Sequence, residues 1–450
     1  MDHTTLTIFG ATGDLFKKKL APALFDLYVR GSLPNRFTIL GLSRKPLSHN
    51  EFRNLATLGI EKHEAFTEKG EGFLRRLFYY SLDATDSNSF DQLREIIDRN
   101  DAEFASCSNK LFYLATVPEL YAHIFTGLSK VGFSVPCVPP LRKTENWSRI
   151  LVEKPFGYDA KNAEFLEELL SESFDESQIF RIDHYLAKET VQNILAFRFK
   201  NALFEPLWSR KYIERVELKV YETADITGRE SFYDSIGALK DFGQNHLLQM
   251  LALLGMEEPE DFSGEKVRSA RARILSETKS SENVTLGQYE GYARGSLIGS
   301  TTETYFKAEL RVENERWKGV PFVLEHGKAL SDNFSGIIVY FKQNPETKTP
   351  NNIRFKIQPE PEICVSLNVL ETNIGSNTEE QNMLCFPLRA KESSAVYPYE
   401  KLLSDALLGD QTLFVSSKEV KEEWRIADEI KQSAKDTELL IYKKGEIFGL

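Results

Sequence analysis

The stretch Leu6-Thr-Ile-Phe-Gly10-Ala-Thr-Gly13-Asp14-Leu15, near the start of the chain, decides the fold class. Its first four residues form a short apolar run that predicts a buried strand, and the pattern from Leu15 to Arg30 predicts an amphipathic helix that ends at Gly31. Glycines between a strand and a helix let the backbone approach a pyrophosphate, to which the helix N-terminus offers N–H groups. Because this spacing is only a variant of the full dinucleotide fingerprint, a plain glycine-rich turn remains an alternative.

Outward from this turn, residues 1–155 alternate short apolar runs with longer helical patterns. Further strands are predicted at Phe37–Gly41, Leu111–Ala115 and Ile150–Val152. The alternation is typical of βαβ units on a parallel sheet, so the predicted fold class is α/β. The segment Val135–Asn146, rich in proline and polar residues, is predicted to be a loop.

The pattern changes in the second half of the chain. Tyr212–Tyr221 alternates in the manner of a half-buried antiparallel strand, and the polar segments Thr278–Asn283 and Asn373–Asn382 are predicted loops. This half therefore predicts an α+β domain on a mixed or antiparallel sheet. Its other predicted strands are Thr304–Val312, Ile337–Phe341 and Ile353–Ile357, and its predicted helices are Ser235–Leu254 and Ser417–Ser433.

Composition limits the class of partner and the compartment. The 56 basic and 67 acidic residues give a net charge of −11, which argues against non-specific binding to nucleic acid. The N-terminal residues predict no signal peptide, and no window has the roughly 20 apolar residues that a membrane helix needs. The cysteines show no metal-like spacing and are predicted to pack as separate small hydrophobes in a reducing compartment (Cys107, Cys137, Cys364, Cys385). We therefore expect a cytoplasmic enzyme with no metal and with neither nucleic acid nor membrane as a partner.

The end of the second strand bears on the choice of cofactor. NAD sites usually place Asp or Glu there to hold the ribose 2′-hydroxyl, whereas NADP sites place a cation there. The residues directly after this strand include Ser43-Arg44-Lys45 and no carboxylate. Arg44 can pair bidentately with a 2′-phosphate and Ser43 can donate a hydrogen bond, although a solvated loop arginine is the simpler alternative. The pattern favours NADP.

Two polar segments are candidates for the catalytic and substrate-binding residues. They are Phe180–Glu189 (Phe-Arg-Ile-Asp-His-Tyr-Leu-Ala-Lys-Glu) and Asp241–Gln249 (Asp-Phe-Gly-Gln-Asn-His-Leu-Leu-Gln). Oxidation of a hemiacetal to a lactone needs a base for the hydroxyl proton, a task that suits histidine, and a carboxylate that orients the imidazole. A substrate phosphate needs cations and hydrogen-bond donors. Taken alone, His246 is more simply a core histidine, and Asp183 with Lys188 could be a surface ion pair.

Several blocks together resemble the glucose-6-phosphate dehydrogenase family, in the order in which they occur there. The Arg-Ile-Asp-His-Tyr block is the most specific of them, and the similarity extends over nearly the whole chain. The resemblance implies a Rossmann NADP-binding domain over residues 1–180. It also implies a β+α substrate and dimerisation domain over residues 181–450, with a large and mostly antiparallel sheet. The blocks are Gly10–Leu15, Glu153–Gly157, Arg181–Lys188, Val191–Asn193, Gln244–His246, Gly319–Phe322, Gly327–Leu330 and Glu423–Arg425.

The same resemblance implies an activity and a set of site residues. The activity is oxidation of glucose 6-phosphate to 6-phosphoglucono-1,5-lactone with NADP, the first step of the oxidative pentose phosphate pathway, by a homodimer or homotetramer. His246 is implied as general base and Asp183 as the carboxylate that supports it. Implied substrate-binding residues are Lys19, Lys154, His184, Tyr185, Lys188, Glu222, Asp241 and Lys328, of which His184, Tyr185 and Lys188 hold the phosphate. Implied cofactor-binding residues are Gly10, Thr12, Gly13, Asp14, Leu15, Ser43, Arg44, Lys154 and Pro155, the last a proline that is cis or switches geometry.

One feature of the second segment conflicts with a regular helix. Asp241 and His246 are five positions apart, about 140° around an α-helix, and cannot both face one point. Asp241 would have to lie at the helix entry, or the helix would have to be irregular, with which Gly243 is compatible.

Three departures from the family pattern leave alternatives open. Phe16 stands where alanine is usual, Asn333 stands where a basic residue is common, and the C-terminal segment Leu440–Leu450 lacks the usual ending, so a second, structural NADP site cannot be assumed. The alternatives are an NAD(P)-dependent dehydrogenase of a modified sugar phosphate, another sugar dehydrogenase without a phosphate pocket, and a catalytically silent paralogue that binds NADP or a sugar phosphate.

Overall fold

The computed structural model of the chain describes residues 3–104, 106–137, 146–294, 297–373, 376–388 and 397–446. The chain divides into two compact units. The first contains residues 1–184, 263–265 and 396–420, and the second contains residues 185–262, 266–395 and 421–450. The return of residues 396–420 to the first unit was not foreseen, because no local pattern marks it. The domain limits 1–180 and 181–450 remain a prediction.

The elements up to residue 184 are β1 Thr4–Phe9, a π-helical turn Phe16–Leu20, α1 Ala21–Val29, β2 Phe37–Ser43, α2 His49–Ile60, α3 Phe66–Leu74, β3 Leu77–Ser81, α4 Asn88–Glu103, β4 Asn109–Leu114, α5 Tyr121–Lys130, β5 Ser148–Val152, α6 Ala160–Ser173 and β6 Ile179–Ile182. The elements after residue 184 are α7 Glu189–Phe199, β7 Ile213–Tyr221, α8 Glu230–Asp234, a second π-helical segment Leu239–Leu247, α9 Leu248–Gly255, α10 Gly264–Ser276, β8 Thr278–Tyr289, β9 Tyr305–Val312, β10 Pro321–Gly327, β11 Phe334–Phe341, β12 Asn352–Gln358, β13 Glu362–Asn373, β14 Ser376–Pro387, α11 Pro398–Leu408, β15 Phe414–Val415, α12 Ser417–Ser433 and β16 Leu440–Tyr442.

The sheet of the first unit has the strand order β15-β6-β5-β4-β1-β2-β3. All neighbouring pairs among β1–β6 are parallel, and only β15 is antiparallel to its neighbour β6. Every residue of β1 and β4 is buried, as expected of strands that helices cover on both faces. The predicted dinucleotide-binding fold, built from βαβ units on a parallel sheet, is confirmed.

The sheet of the second unit has the order β14-β13-β12-β11-β7-β10-β9-β8-β16. Its neighbouring strands are antiparallel except for two pairs, β7 with β10 and β8 with β16. The predicted large, mostly antiparallel sheet is therefore confirmed. The interpretation of Tyr212–Tyr221 as an antiparallel strand is incomplete, because β7 pairs antiparallel with β11 on one side and parallel with β10 on the other.

Two predicted loops are wrong. Thr278–Asn283 begins β8, and the described part of Asn373–Asn382 lies in the hairpin of β13 and β14, with residues 374–375 outside the described range. A strand is recognised by alternating apolar residues, and these polar segments carry no such alternation. Val135–Asn146 lies partly outside the described residues, and its described ends contain neither helix nor strand.

The cysteines also differ from the expectation. The structure pairs Cys107 with Cys137 and Cys364 with Cys385 as disulfides, so the prediction of separate cysteines is wrong. Strand register explains the second pair, because Cys364 of β13 lies directly opposite Cys385 of β14. A spacing of 21 residues in the sequence carries no signal of that register. Because the cysteines are paired, they no longer support the prediction of a reducing compartment. Of the helices in the described ranges, none has the length and apolar content that crossing a bilayer requires.

Candidate active site

The glycine-rich turn after β1 has the geometry of a phosphate-binding turn. Gly10 has a φ of +81° and a Cβ there would collide with the carbonyl oxygen of Ala115, so only glycine fits. The Gly10 N–H donates to Leu42 O at 2.9 Å, and the Gly13 N–H donates to Gly10 O at 3.0 Å. The π-helical turn Phe16–Leu20 follows at once and joins α1. The backbone therefore turns tightly into a helix N-terminus, as dinucleotide binding requires.

The other residues of this turn differ in exposure. Thr12 and Leu15 are half-buried, whereas Asp14 and Lys19 are exposed. Asp14 forms a surface ion pair with Lys18 at 2.8 Å. Phe16 is fully buried and stacks on Phe52 with ring centroids 4.9 Å apart, so this departure from the family pattern fills space beneath the turn.

A cavity of about 270 Å³ lies beside this turn in the first unit. Its walls are mainly apolar, and much of its polar lining comes from Thr12, the end of β2 and the end of β3. Such a cavity, apolar with a few placed polar groups, suits the adenosine end of a dinucleotide. The polar lining residues include Thr12, Ser43, Arg44, Lys45 and Asp83.

Asp83 was not singled out by the sequence analysis, although it follows β3 in the wall of this cavity. Its Oδ1 accepts the Thr85 N–H at 2.9 Å and the Thr85 hydroxyl at 2.8 Å. These hydrogen bonds from Thr85, with a smaller contribution from Arg44, lower the pKa of Asp83. The Asp83 carboxylate thus stabilises the turn that contains Thr85. Arg44, at the end of β2, is a cation in the lining of the cavity.

Glu153 and Lys154 follow β5, at the same edge of the parallel sheet. Glu153 is half-buried among tyrosines: Tyr113 OH donates to its carboxylate at 2.5 Å, and Tyr121 OH donates to its carbonyl oxygen at 2.9 Å. Burial raises the pKa of Glu153 to about 7, against the opposing effects of Tyr113 and Lys154. The Lys154–Pro155 peptide bond is cis. The segment that carries two of the predicted site residues is therefore anchored by the residue before it.

We expect Glu153→Gln to change how stability depends on pH. Because the pKa rises on folding from an ordinary 4.5 to about 7, the folded protein binds the proton more tightly, and this residue makes stability fall as pH rises from about 4.5 to about 7. The unfolding free energy of Glu153→Gln relative to the unsubstituted protein should therefore rise by about 2 to 3 kcal/mol between pH 5 and pH 8. Thermal melts over this pH range measure it; a constant difference would show that Glu153 ionises normally.

Asp183 and His184 come directly after β6. Asp183 is buried and His184 is half-buried. Both stand at the end of the first unit, and Tyr185 is the first residue of the second. The polar block that the sequence analysis singled out thus spans the point where the chain passes from one unit to the other.

In the second unit, parallel pairing of β7 with β10 brings two predicted site residues together. Tyr221 lies opposite Gly327 in this pair, so Glu222 and Lys328, the residues that follow, emerge at the same edge of the sheet. The Lys328 ammonium lies 2.5 Å from Glu222 Oε2 and 3.1 Å from Asp241 Oδ2. Burial alone would lower the pKa of Lys328, but Asp241 and Glu222 outweigh it and raise the pKa. Lys328 therefore stays protonated between two carboxylates.

The predicted helix Ser235–Leu254 is a π-helical segment, Leu239–Leu247, followed by α9. In a π-helix, residues five apart are joined by backbone hydrogen bonds and share a face. Asp241 and His246 are five apart, so the irregularity that the sequence required is present over the whole segment. The two side chains can therefore serve one site, which a regular α-helix would forbid.

His246 is fully buried within an aromatic enclosure. Its ring stacks on Tyr185, with centroids 4.4 Å apart and an interplanar angle of 24°, and meets Phe242 edge-on at 5.3 Å. Lys188 Nζ lies 3.5 Å from the centroid of the Tyr185 ring and donates to Gln358 Oε1 at 3.1 Å. Tyr185 thus lies between the candidate base and the lysine of the predicted phosphate pocket.

His326 belongs to the same cluster but was missed by the sequence analysis. Its ring stacks on Phe242 at 4.0 Å, and its Nδ1 lies 2.8 Å from Val220 O, which makes Nδ1–H the donor. Burial, and then Lys328, lower the pKa of His326 to about 4, so the ring is neutral. Glu222, Asp241 and His326 are close enough to be metal ligands, but the Lys328 ammonium already neutralises the carboxylates. The prediction of no metal stays a prediction.

The departures from the family pattern have structural roles here. Asn333 Oδ1 accepts the Thr223 N–H at 2.9 Å, and its Nδ2 donates to Thr223 Oγ1 at 3.0 Å, which holds the turn after Glu222. In the C-terminal segment, Tyr442 OH donates to Lys328 O at 2.7 Å. Both departures therefore support the Glu222–Lys328 edge of the sheet.

The predicted residues thus form two groups, each within one unit. The second-unit group brings together Tyr185, Lys188, Glu222, Asp241, His246 and Lys328. The first-unit group includes Gly10, Thr12, Ser43 and Arg44 around the cavity and Lys154 with Pro155 after β5. Lys19 lies exposed on the π-helical turn, and its role stays a prediction.

A parallel sheet with a glycine-rich phosphate turn, joined in sequence to a unit holding a buried histidine among carboxylates and lysines, defines a dinucleotide-dependent dehydrogenase. Two family models match the chain: the glucose-6-phosphate dehydrogenase NAD binding domain over residues 7–193 and the glucose-6-phosphate dehydrogenase C-terminal domain over residues 195–447. The chain belongs to the glucose-6-phosphate dehydrogenase family. It is an oxidoreductase, and its dinucleotide-binding domain implies a nicotinamide cofactor.

Relatives share nearly the full length of the chain. Chloroplastic glucose-6-phosphate 1-dehydrogenase 3 of Arabidopsis thaliana is 35% identical, covering 95% of this chain and 74% of its own. Glucose-6-phosphate 1-dehydrogenase of Bacillus subtilis is 33% identical, covering 95% of this chain and 91% of its own. A solved structure of glucose-6-phosphate dehydrogenase with glucose 6-phosphate superposes with a TM-score of 0.91 at 31% identity, covering 100% of this chain and 96% of that one. A levoglucosan dehydrogenase, at 12% identity and a TM-score of 0.54, shares the fold alone.

Proposed function

We propose that the protein oxidises glucose 6-phosphate at C1 to 6-phosphoglucono-1,5-lactone, with NADP as the hydride acceptor. The observation that carries this proposal is the second-unit cluster, where a buried histidine shares a helical segment with Asp241, which itself pairs with Lys328. Family membership supports the same reaction.

The residues of the first unit fit a dinucleotide. Gly10 allows the tight turn, since a Cβ there would collide with Ala115 O, and the adjoining cavity suits an adenosine. We propose that Gly10, Thr12, Gly13, Asp14 and Leu15 form the pyrophosphate turn. We further propose that Arg44 pairs with the 2′-phosphate, because its guanidinium offers a bidentate fork to phosphate oxygens. Lys154 and Pro155 are proposed for the nicotinamide end, where the bound cofactor would accept a hydride.

His246 is proposed as the general base that removes the C1 hydroxyl proton while hydride leaves C1. A neutral imidazole suits this transfer, and its aromatic enclosure holds the ring in one orientation and excludes water. For Asp183 we propose the role that the family resemblance implies, support of the imidazolium that forms.

The remaining cluster is proposed to bind the sugar. Glu222 and Asp241 accept hydrogen bonds from sugar hydroxyls, while Lys328 holds both carboxylates in place. His184, Tyr185 and Lys188 are proposed for the phosphate, with Lys19 and Lys154 as further contacts to the substrate.

Initial rates of cofactor reduction, measured by absorbance, test the proposal. Glucose 6-phosphate, glucosamine 6-phosphate and glucose are compared, each with NADP and with NAD. Fast turnover only with glucose 6-phosphate and NADP is expected. Activity on free glucose at the same rate would exclude a phosphate pocket. Activity on glucosamine 6-phosphate alone would indicate a modified substrate, and binding of NADP without turnover would indicate a silent paralogue.

Lys188→Met is expected to raise KM for glucose 6-phosphate about tenfold while changing kcat little, because one cation–phosphate contact is lost from binding and the base is untouched. Steady-state kinetics with glucose 6-phosphate measure it. Lys200→Met is the control, since Lys200 is an exposed lysine at the end of α7, the helix that Lys188 precedes. Equal KM values for both variants would remove Lys188 from the phosphate pocket.

A homodimer or homotetramer in the cytoplasm is proposed for the assembly and location. Several apolar side chains of the β13–β14 hairpin are about half exposed, and a patch of this kind often marks a protein–protein contact (Leu367, Leu384, Phe386). Light scattering after size-exclusion chromatography tests the assembly, and a monomer at micromolar concentration would contradict it.

A further inference from the structure

Tyr79 lies beneath the loop that carries Arg44, but nothing in the sequence pattern marks it. It belongs to β3, where it pairs with Gly41 of β2, and it is almost fully buried. Its hydroxyl lies 2.5 Å from Lys45 O, 3.3 Å from Ser43 O and 2.8 Å from Ser43 Oγ. One phenol thus contacts the residues on both sides of Arg44.

The hydrogen bonds around Ser43 define the direction of each donor. Ser43 Oγ accepts the Thr12 hydroxyl at 3.1 Å and the Lys45 N–H at 3.2 Å, which occupies both of its lone pairs. The Tyr79 proton goes to Lys45 O, so the Ser43 proton is directed at Tyr79 Oη. Burial raises the pKa of Tyr79, so its proton is present at neutral pH. Both lone pairs and the proton of the Ser43 hydroxyl are therefore used in hydrogen bonds within the protein.

This arrangement changes the role of Ser43 from the one expected from sequence. A hydroxyl with every position occupied does not donate to a cofactor phosphate. It instead ties the phosphate turn, through Thr12, to the Arg44–Lys45 main chain and to Tyr79.

We propose that Tyr79 is a positioning residue that determines cofactor specificity: its buried hydroxyl, acting through Ser43 and Lys45 O, holds the loop so that Arg44 meets the 2′-phosphate of NADP. The inference rests on the proposed function, because it presumes that Arg44 reads that phosphate. The inference predicts that loss of the Tyr79 hydroxyl raises KM for NADP but not KM for NAD, because NAD lacks the 2′-phosphate that Arg44 would bind.

Tyr79→Phe tests the proposal, since phenylalanine keeps the ring contact with Phe52 and removes only the hydroxyl. We expect KM for NADP to rise about five- to tenfold, from the loss of one to two hydrogen bonds that hold the loop. We expect kcat and the KM values for NAD and glucose 6-phosphate to stay within about twofold. Tyr80→Phe is the matched control, because neighbouring residues of a strand point to opposite faces. A rise of the same size for NADP and NAD, or in both variants, would overturn the proposal.

A double-mutant cycle separates positioning from direct contact. If Ser43 acts with Tyr79, Ser43→Ala alone should raise KM for NADP, and Ser43→Ala added to Tyr79→Phe should add little. Full additivity would mean that Ser43 contacts the phosphate itself and would contradict the inference. Arg44→Ala separates a failure of the proposed cofactor site from a failure of the role of Tyr79. If Arg44→Ala raises KM for NADP and for NAD alike, the proposed cofactor site fails. If Arg44→Ala raises KM for NADP alone but Tyr79→Phe does not, only the role of Tyr79 fails.

Discussion

His246→Asn should lower kcat by about 100-fold or more while leaving the KM for glucose 6-phosphate within a few-fold. The reason is that a general base acts mainly in the transition state, where general acid–base catalysis contributes roughly 10²–10⁴-fold. Asparagine retains polar atoms but has no group that accepts a proton at neutral pH. Steady-state kinetics with NADP, together with substrate protection in thermal melts, measure catalysis and binding separately.

His326→Asn is the matched control for that experiment. His326 is also a fully buried histidine whose ring packs on Phe242, so its loss creates a similar packing defect. Its Nδ1–H donates to Val220 O and its pKa is about 4, so no role in proton abstraction is expected. We expect His326→Asn to lower the melting temperature and alter KM, with a far smaller loss of kcat than His246→Asn. Similar kcat losses in both would attribute the effect to packing, and an unchanged kcat in His246→Asn would remove it as the base.

Arg44→Ala should raise KM for NADP about 30- to 100-fold and leave KM for NAD nearly unchanged. A hydrogen bond to a charged group contributes about 1.5 to 3 kcal/mol, and because Arg44 is exposed we expect its whole contact with the phosphate to contribute about 2 to 2.7 kcal/mol, which corresponds to a 30- to 100-fold change. Because NAD has no 2′-phosphate, the substitution removes nothing from its binding. The ratio of kcat/KM for the two cofactors, measured with saturating glucose 6-phosphate, gives the discrimination directly.

Arg36→Ala is the control for Arg44→Ala, since Arg36 is an exposed arginine just before β2, whereas Arg44 follows the other end of that strand. The effect of Arg44→Ala should also shrink as salt concentration rises, because ions screen an exposed charge. If both cofactors were affected alike, Arg44 would not distinguish NADP from NAD.

Local features accounted for the sequence predictions that are confirmed. The apolar run before Gly10 and the helix after Leu15 are patterns within about twenty residues, so the parallel sheet and its glycine-rich turn could be recognised directly. Helix α12 was predicted with the bounds that the structure has, because its caps and apolar period are local. The polar strands β8 and β14 were missed since they carry no apolar alternation.

The candidate site was predictable as a set of residues but not as an arrangement. Family resemblance named Glu222, Asp241 and Lys328 without indicating that the lysine bridges both carboxylates. Tyr79 and His326 carry no sequence signal, because a buried tyrosine or histidine is also ordinary core. Asn333 was interpreted only as a missing cation, whereas its contacts with Thr223 give it a structural role.

The sequence by itself determined the fold class, the glycine-rich turn, the family and the conflict between a regular helix and the Asp241–His246 spacing. The tertiary structure alone decided how that conflict is resolved, by a π-helical segment, and which strands of the second sheet run parallel. Glu222 and Lys328 are 106 residues apart and meet only because β7 and β10 pair in parallel and end at the same edge. Periodicity and turn chemistry depend on neighbours within a few residues, whereas strand pairing and side-chain contacts depend on residues that only the folded chain brings together.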